Sequence, residues 1–175
     1  MAFFNGPYCH VEMAFPERTG DEAWEKEVWG SSIYQGENVF FKPKAYSRDG
    51  YFSFAIEVTQ AQRIKIKEYC RMQSEAGVGF NLWAMYLSYL PFKVLDLDGT
   101  FCSKHVANAL SVGQVEGFHN KGVQPSQMTP SSLYRMLLSR SQLQSPIVHV
   151  IPSLMTQDAG QCSAQALREI IIKKS

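Results

Sequence analysis

The chain has no CxxC pair, no sustained basic run, no apolar stretch of membrane-spanning length and almost no net charge. Each absence removes a class of protein. Its four cysteines, Cys9, Cys70, Cys102 and Cys162, are scattered, so neighbouring thiols cannot build a zinc ribbon or a dithiol redox motif. No two histidines are spaced as ligands on one element, and neither a metal nor another cofactor is expected. A formal net charge of +1 without basic clusters gives nothing to draw the chain to nucleic acid. A P-loop, a Gly-rich dinucleotide fingerprint and a GxSxG elbow are likewise missing. The most apolar segment, Phe80 to Phe92, falls short of the roughly 20 residues that a spanning helix needs, which leaves buried core or a surface that meets lipid. Met1 to Gly6 lacks the charged start and long apolar run expected of a signal peptide. The thiols are therefore expected to be reduced, in a cytoplasmic compartment.

What the chain does have is pattern. With 175 residues, 45% hydrophobic and 19% charged, it can bury a core as one domain without disulfides. Tyr8 to Phe15 alternates, with Cys9, Val11, Met13 and Phe15 on one face and Tyr8, His10, Glu12 and Ala14 on the other, which predicts a strand. Pro16 to Gly30 reads as a polar connection. Ser31 to Gln35 and Val39 to Lys42 flank Gly36-Glu37-Asn38 as a hairpin, and Phe52, Phe54, Ile56 and Val58 mark a further strand. Thr59 is placed to cap a helix running to about Ser74, and Gly77 and Gly79 interrupt the chain before a second helical stretch, Asn81 to Leu90. After a loop from Pro91 to Gly99, a helix begins at Cys102 with Cys102, Val106, Ala109 and Leu110 on one buried stripe. Gly113 to Met128 is a loop, and Thr129-Pro130 supplies a cap and a first-turn proline for a helix over Ser131 to Ser139. Ile147 to Ile151 reads as a short apolar strand and Ala164 to Lys174 as a terminal helix. Strands first, helices next and a mixed end predict an α+β fold.

Chemistry could turn on Cys102. A thiol at a helix start faces unpaired backbone N–H groups and the positive end of the helix dipole, both of which favour thiolate. His10 sits on a rigid strand from which an imidazole could take the thiol proton. Taken singly, a buried structural thiol and a satisfied core or edge histidine are the plain alternatives. Glu12 reads as a solvated or hydrogen-bonded strand residue. His105, one helical turn beyond Cys102, reads as a capping or surface histidine, with the thiol in reach. Cys162-Ser163 also precedes a helical pattern, without the aromatic approach that leads to Cys102. His149 is the rival base, on an apolar strand that suits a core histidine, and His119, in a Gly-flanked loop, is expected to be exposed. Phe80, Trp83, Tyr86 and Tyr89 recur every three residues. Core packing is their default reading; a substrate groove walled by Trp83 and Tyr86 is the sharper one.

In four segments, YCHVEMAF, WGSSIYQGENVFFKP, GVGFNLWAMYLSYLPF and FCSKHVANAL, the chain resembles the circularly permuted papain-like superfamily, the NlpC/P60-like thiol amidases and acyltransferases. The succession of histidine strand, serine-rich strand and hairpin, helix, then Cys-Ser at a helix start is similar to its permuted branch. That branch contains lecithin:retinol acyltransferase-like proteins, bacterial lipid-associated proteins, and proteins of phages and large DNA viruses. In the unpermuted order the cysteine helix precedes the histidine strand; here it follows. The resemblance is strongest over 6–140. It implies a single permuted papain-like domain over 1–175, an antiparallel sheet packed against helices with the nucleophile at a helix N-terminus. It implies Cys102 as nucleophile, His10 as base, and the backbone N–H groups of Cys102 and Ser103 as the oxyanion hole. The orienter of the imidazole usually lies on the strand after the histidine, where Ser31, Ser32 and Gln35 stand, with Glu12 as a same-face neighbour of His10. Relatives often carry an acidic residue after Cys-Ser; here Lys104-His105 follows, and its positive or polar character would further favour thiolate.

The implied activity is that of a cysteine-dependent hydrolase (peptidase or amidase) or acyltransferase. It would act on an amide, ester or thioester bond of a protein or lipid substrate through a thioester intermediate. A peptidoglycan amide is less favoured, because no cell-wall-binding repeat is present. Two other classes stand beside it. One is an inactive papain-like binding or virion-associated module, suggested by the lack of a plain acid or histidine among Ser31, Ser32 and Gln35. The other is a membrane-surface protein using Phe80 to Phe92. A viral member would work in the host cytoplasm or the virion.

Overall fold

The computed structural model describes residues 8–16, 28–46, 51–90, 97–119, 123–142, 148–151 and 169–174. Strand β1 (Tyr8–Phe15) forms where the sequence alternates, and Val11, Met13 and Phe15 enter the core as that pattern requires. Its other face is enclosed as well, since His10, Glu12 and Ala14 are buried. The polar residues of β1 must therefore find partners within the protein rather than in water. Cys9 is exposed, at a register shift between Tyr8 and His10.

Strands β2 (Val28–Ser32) and β3 (Phe40–Lys44) form the expected hairpin, closed through a turn in which Gly36 has φ 80°. Val28 to Gly30 belong to β2 and not to the polar connection, because their pairing with Lys44, Pro43 and Lys42 extends the ladder back past Ser31. Strand β4 (Tyr51–Ile56) follows.

The largest departure from expectation is near the C-terminus. The pattern predicts a helix over Ala164 to Lys174, yet Glu169–Lys174 is a strand. With β5 at Val148–Ile151 and this strand as β6, the sheet order is β3-β2-β1-β6-β4-β5, and every neighbouring pair is antiparallel. The last strand thus fills the gap between β1 and β4, with Ile171 opposite Glu12 on one side and Ser53 on the other. Three consecutive isoleucines decide the outcome. They are stiff at χ1 and favour strand, and a continuous apolar run suits a strand flanked on both edges. The helix-forming residues that suggested otherwise lie in 164–168, outside the described residues.

Four helices are described. α1 (Gln60–Glu75) starts in a capping box, where Gln62 N donates to Thr59 Oγ1 at 3.2 Å and Thr59 N to Gln62 Oε1 at 2.9 Å. α2 (Leu82–Leu87) is capped by Asn81, α3 is Cys102–Val112, and α4 (Pro130–Gln142) opens with Ser132 N donating to Thr129 Oγ1 at 3.1 Å. A single 3₁₀ turn, Pro125–Gln127, interrupts the loop before α4. α3 packs against β1, α1 and α4. Its burial exceeds the expected stripe: Ser103, Lys104 and His105 are enclosed along with Cys102, Val106, Ala109 and Leu110. The architecture is α+β, an antiparallel sheet packed against helices. Among the described residues no helix is long and apolar enough to cross a membrane.

Candidate active site

Cys102 is the first residue of α3. Phe101 before it is extended, with φ −142° and ψ 165°, and brings no side-chain acceptor to the helix start. The first N–H groups of α3 are therefore not capped by their own N-cap residue. The approach to the cysteine is fixed from the backbone: Asn81 N donates to Thr100 O at 2.8 Å and Thr100 N to Gly79 O at 3.1 Å. Lys104 is buried, and its Nζ donates to the carbonyls of Leu97 at 2.9 Å and Gly99 at 3.0 Å. Ser103 Oγ donates to Met128 O at 2.5 Å, which leaves this residue only its backbone N–H to offer at the helix start. The Cys102 side chain sits in an apolar cluster with Ile33, Val39, Val78 and Phe80.

His10 approaches Cys102 from β1, and its interaction with the cysteine is among the causes that raise the pKa of the ring. Its Nε2 lies 3.2 Å from Glu12 Oε1 and 3.4 Å from Ser32 Oγ. Ser32 spends its one proton on Val11 O, at 2.5 Å. Burial alone would raise the pKa of Glu12, but hydrogen bonds from His10, Lys44 and Tyr34 bring it down to about 2, so it is an anion at neutral pH. Both neighbours of Nε2 can then only accept. Nε2 therefore carries a proton. Burial also opposes charge on His10, yet its hydrogen bonds with Cys102 and Glu12, and the charges of both, raise its pKa from 6.5 to about 9.

Two residues not singled out from the sequence complete this cluster. Lys44 Nζ lies 2.7 Å from each carboxylate oxygen of Glu12 and 2.6 Å from the Tyr34 hydroxyl. The Tyr34 hydroxyl donates to Glu12 Oε1 at 2.7 Å, and its ring stacks on His10 with centroids 4.5 Å apart. A signal existed: a carboxylate on an alternating strand covered on both faces demands a cation, and Lys42 and Lys44 lie on the neighbouring hairpin.

The other expected residues divide. Ser31 does not touch His10; its Oγ donates to Phe40 O at 3.0 Å and meets His105 Nε2 at 2.9 Å. Gln35 is exposed in the hairpin turn. His105 is neither a cap nor a surface residue but fully buried, stacked near Tyr69 with ring centroids 5.7 Å apart, and burial lowers its pKa to about 4. The all-round burial of α3 is the reason. Of the two readings of Glu12, solvated or hydrogen-bonded, the second holds: it is buried and accepts from Tyr34 and Lys44. Of the four aromatics, Phe80 packs beside Cys102, whereas Trp83 and Tyr86 are 72% and 45% exposed and meet edge to face at 6.4 Å, so core packing does not account for them. His149 stands on β5 opposite Ala55, three strand spacings or about 14 Å from β1. His119 is exposed, as expected. Cys162 lies outside the described residues.

Among the described residues no three His, Cys, Asp or Glu side chains are grouped to hold a metal ion. Comparison of the chain with protein-family models, with curated proteins and with solved structures gives no match.

Proposed function

We propose that the chain is a cysteine-dependent hydrolase or acyltransferase of permuted papain-like (NlpC/P60-type) architecture, with Cys102 as nucleophile and His10 as base. One observation carries this reading: His10, held at Nε2 by Glu12 and Ser32, interacts with a thiol on the first residue of a helix. The order of the two elements, histidine strand before cysteine helix, is the one permutation requires.

His10 holds the thiol proton, its pKa of about 9 keeping the ring charged at neutral pH, and the sulfur attacks the carbonyl carbon of an amide, ester or thioester as thiolate. The carbonyl π electrons move to oxygen, where the N–H groups of Cys102 and Ser103 stabilise the anion by ~3 kcal/mol per donor, as in comparable sites. Collapse breaks the bond to the leaving group, which departs with the proton from His10. The thioester then yields to water, deprotonated by His10, and Cys102 recovers its proton as the acid is released. An amine or alcohol in place of water gives acyl transfer.

The test is the pH dependence of Cys102 alkylation by iodoacetamide, followed by mass spectrometry in wild type and His10→Ala. Fast labelling near neutral pH that is lost in the variant supports the pair. Labelling as slow as that of buried Cys70, and indifferent to His10, sinks it.

The exposure of Trp83, Tyr86 and Leu90, at one-turn spacings, favours a second reading in which this face meets a lipid surface. Co-sedimentation with neutral and anionic vesicles tests it, and recovery of all the protein in the supernatant removes it.

A further inference from the structure

We infer that Lys44 and Tyr34 are positioning residues of this site: they hold Glu12 as a fixed, charge-balanced acceptor for His10 Nε2–H, so that the carboxylate orients the imidazole and holds its proton less tightly than an unbalanced anion would. This rests on the Cys102–His10 reading above and adds to it how the base is kept reversible. A buried carboxylate 3.2 Å from an imidazolium and facing no other cation would stabilise the protonated ring strongly. The proposed reaction needs the opposite in its second half, when His10 must give its proton to the leaving group.

The geometry supplies the counterweight. The ammonium of Lys44 spans both oxygens of Glu12 at 2.7 Å, and the Tyr34 hydroxyl donates to Oε1, the oxygen that also faces His10. The ammonium is itself held over the rings of Tyr34, Phe40 and Tyr46, at 5.2, 5.5 and 5.0 Å from their centroids. Tyr34 couples the two parts, stacking on the imidazole while its hydroxyl joins Glu12 to Lys44. Among the described side chains, the groups near His10 and Glu12 are Cys102 from α3 and Ser32, Tyr34 and Lys44 from the hairpin; on β6 the residue paired with His10 in register is Lys173.

Magnitudes decide the direction of the effect. A neighbouring opposite charge lowers a carboxylate pKa by about 1–3. Glu12 starts at about 2, so without Lys44 it is still ionised at neutral pH. Removing the ammonium therefore leaves His10 beside an unbalanced anion.

The experiment is an NMR titration of the histidine rings in wild type, Lys44→Gln and Lys44→Arg, with circular dichroism as a check of folding. In Lys44→Gln the His10 midpoint rises by about one pH unit, and Lys44→Arg restores it. Tyr34→Phe keeps the ring and drops the hydroxyl, giving a smaller rise. A midpoint unchanged or lowered in folded Lys44→Gln overturns the proposal. If that variant does not fold, an unchanged midpoint in Tyr34→Phe does so. The titration reads His10 whether or not Cys102 reacts, so slow alkylation with an intact response to Lys44 counts against the catalytic reading alone.

Discussion

Ser31 and Ser32 are neighbours on β2, yet each serves a different histidine: Ser31 Oγ meets His105 Nε2 at 2.9 Å, and Ser32 Oγ meets His10 Nε2 at 3.4 Å. Each hydroxyl donates its proton to a carbonyl, of Phe40 and of Val11, and so can only accept from the ring. Both imidazoles consequently carry hydrogen on Nε2. The two rings have opposite surroundings. His10 lies with Cys102 in a cluster holding an anion, while among the described residues Nδ1 of His105 has no partner. The same tautomer thus yields one ring titrating at about 9 and another at about 4.

These opposite displacements predict a dome in stability against pH. The folded pKa of His10 lies above 6.5, so its contribution is complete below pH 6.5 and is lost as pH rises through 9. His105 has a depressed folded value. The unfolded chain takes up its proton near 6.5 and the folded chain only near 4, so stability falls as pH drops between them, by on the order of 3 kcal/mol. Glu12, folded near 2 against 4.5, adds a further loss below 4.5. Urea unfolding should show a maximum near pH 6.5. His105→Gln should flatten the limb between 4 and 6.5 and leave the alkaline limb intact; an unchanged acid limb would refute the assignment.

The two serines also separate positioning from packing. Glu12→Gln removes the anion that orients His10 and should slow Cys102 alkylation at pH 7 about tenfold, the equivalent of one pKa unit. Ser32→Ala, losing the longer contact, should slow it about two- to threefold. Ser31→Ala should leave the rate unchanged and cost about 1 kcal/mol of stability through His105. Iodoacetamide kinetics on the three variants, with denaturation curves, check this. Equal slowing by Ser31→Ala and Ser32→Ala would contradict it.

The parts of this arrangement that were legible in the sequence are local. Alternation over Tyr8 to Phe15 marks the His10 strand, Thr59 and Gln62 announce the start of α1, and the aromatic approach ending at Phe101 points to a helix at Cys102. What was not legible depends on partners distant in the chain. Glu12 meets Lys44 across 32 positions and Ser31 meets His105 across 74, and no periodicity encodes either pairing. His105 looked like a surface residue because helical spacing marks one stripe, whereas α3 is covered all round. The strand at Glu169–Lys174 was hidden by the helix-forming residues ahead of its isoleucines, since the gap it fills exists only once β1 and β4 are in place.

Gly113, which follows α3, should not accept a side chain. Its φ of −69° suits alanine, so the backbone raises no objection. A Cβ there would lie 2.5 Å from Cγ1 and 2.7 Å from Cδ1 of Ile66, the fully buried residue through which α1 meets α3. Gly113→Ala should cost about 1–3 kcal/mol by overpacking. Ile66→Val, which removes the Cδ1 carbon, should cost less in the Gly113→Ala background than alone. A double-mutant cycle in urea tests the coupling, and strictly additive losses would rule the close contact out.

Strand β6 should be among the most protected parts of the molecule. Its backbone pairs with β1 on one side and β4 on the other, so each of Ile170, Ile171 and Ile172 faces a residue on both neighbours. In native-state hydrogen exchange these three amides should be as slow as those of Val11 and Met13, whereas a helix appended at the surface would exchange like a fraying end. Ile171→Pro removes an N–H from a central ladder and leaves a buried carbonyl without its donor, a loss of about 1–3 kcal/mol before any steric cost. Because β6 flanks the strand that carries His10, the same variant should lower Cys102 alkylation together with stability. Fast exchange at the three isoleucines, or an Ile171→Pro protein with wild-type stability and labelling, would place this segment outside the sheet.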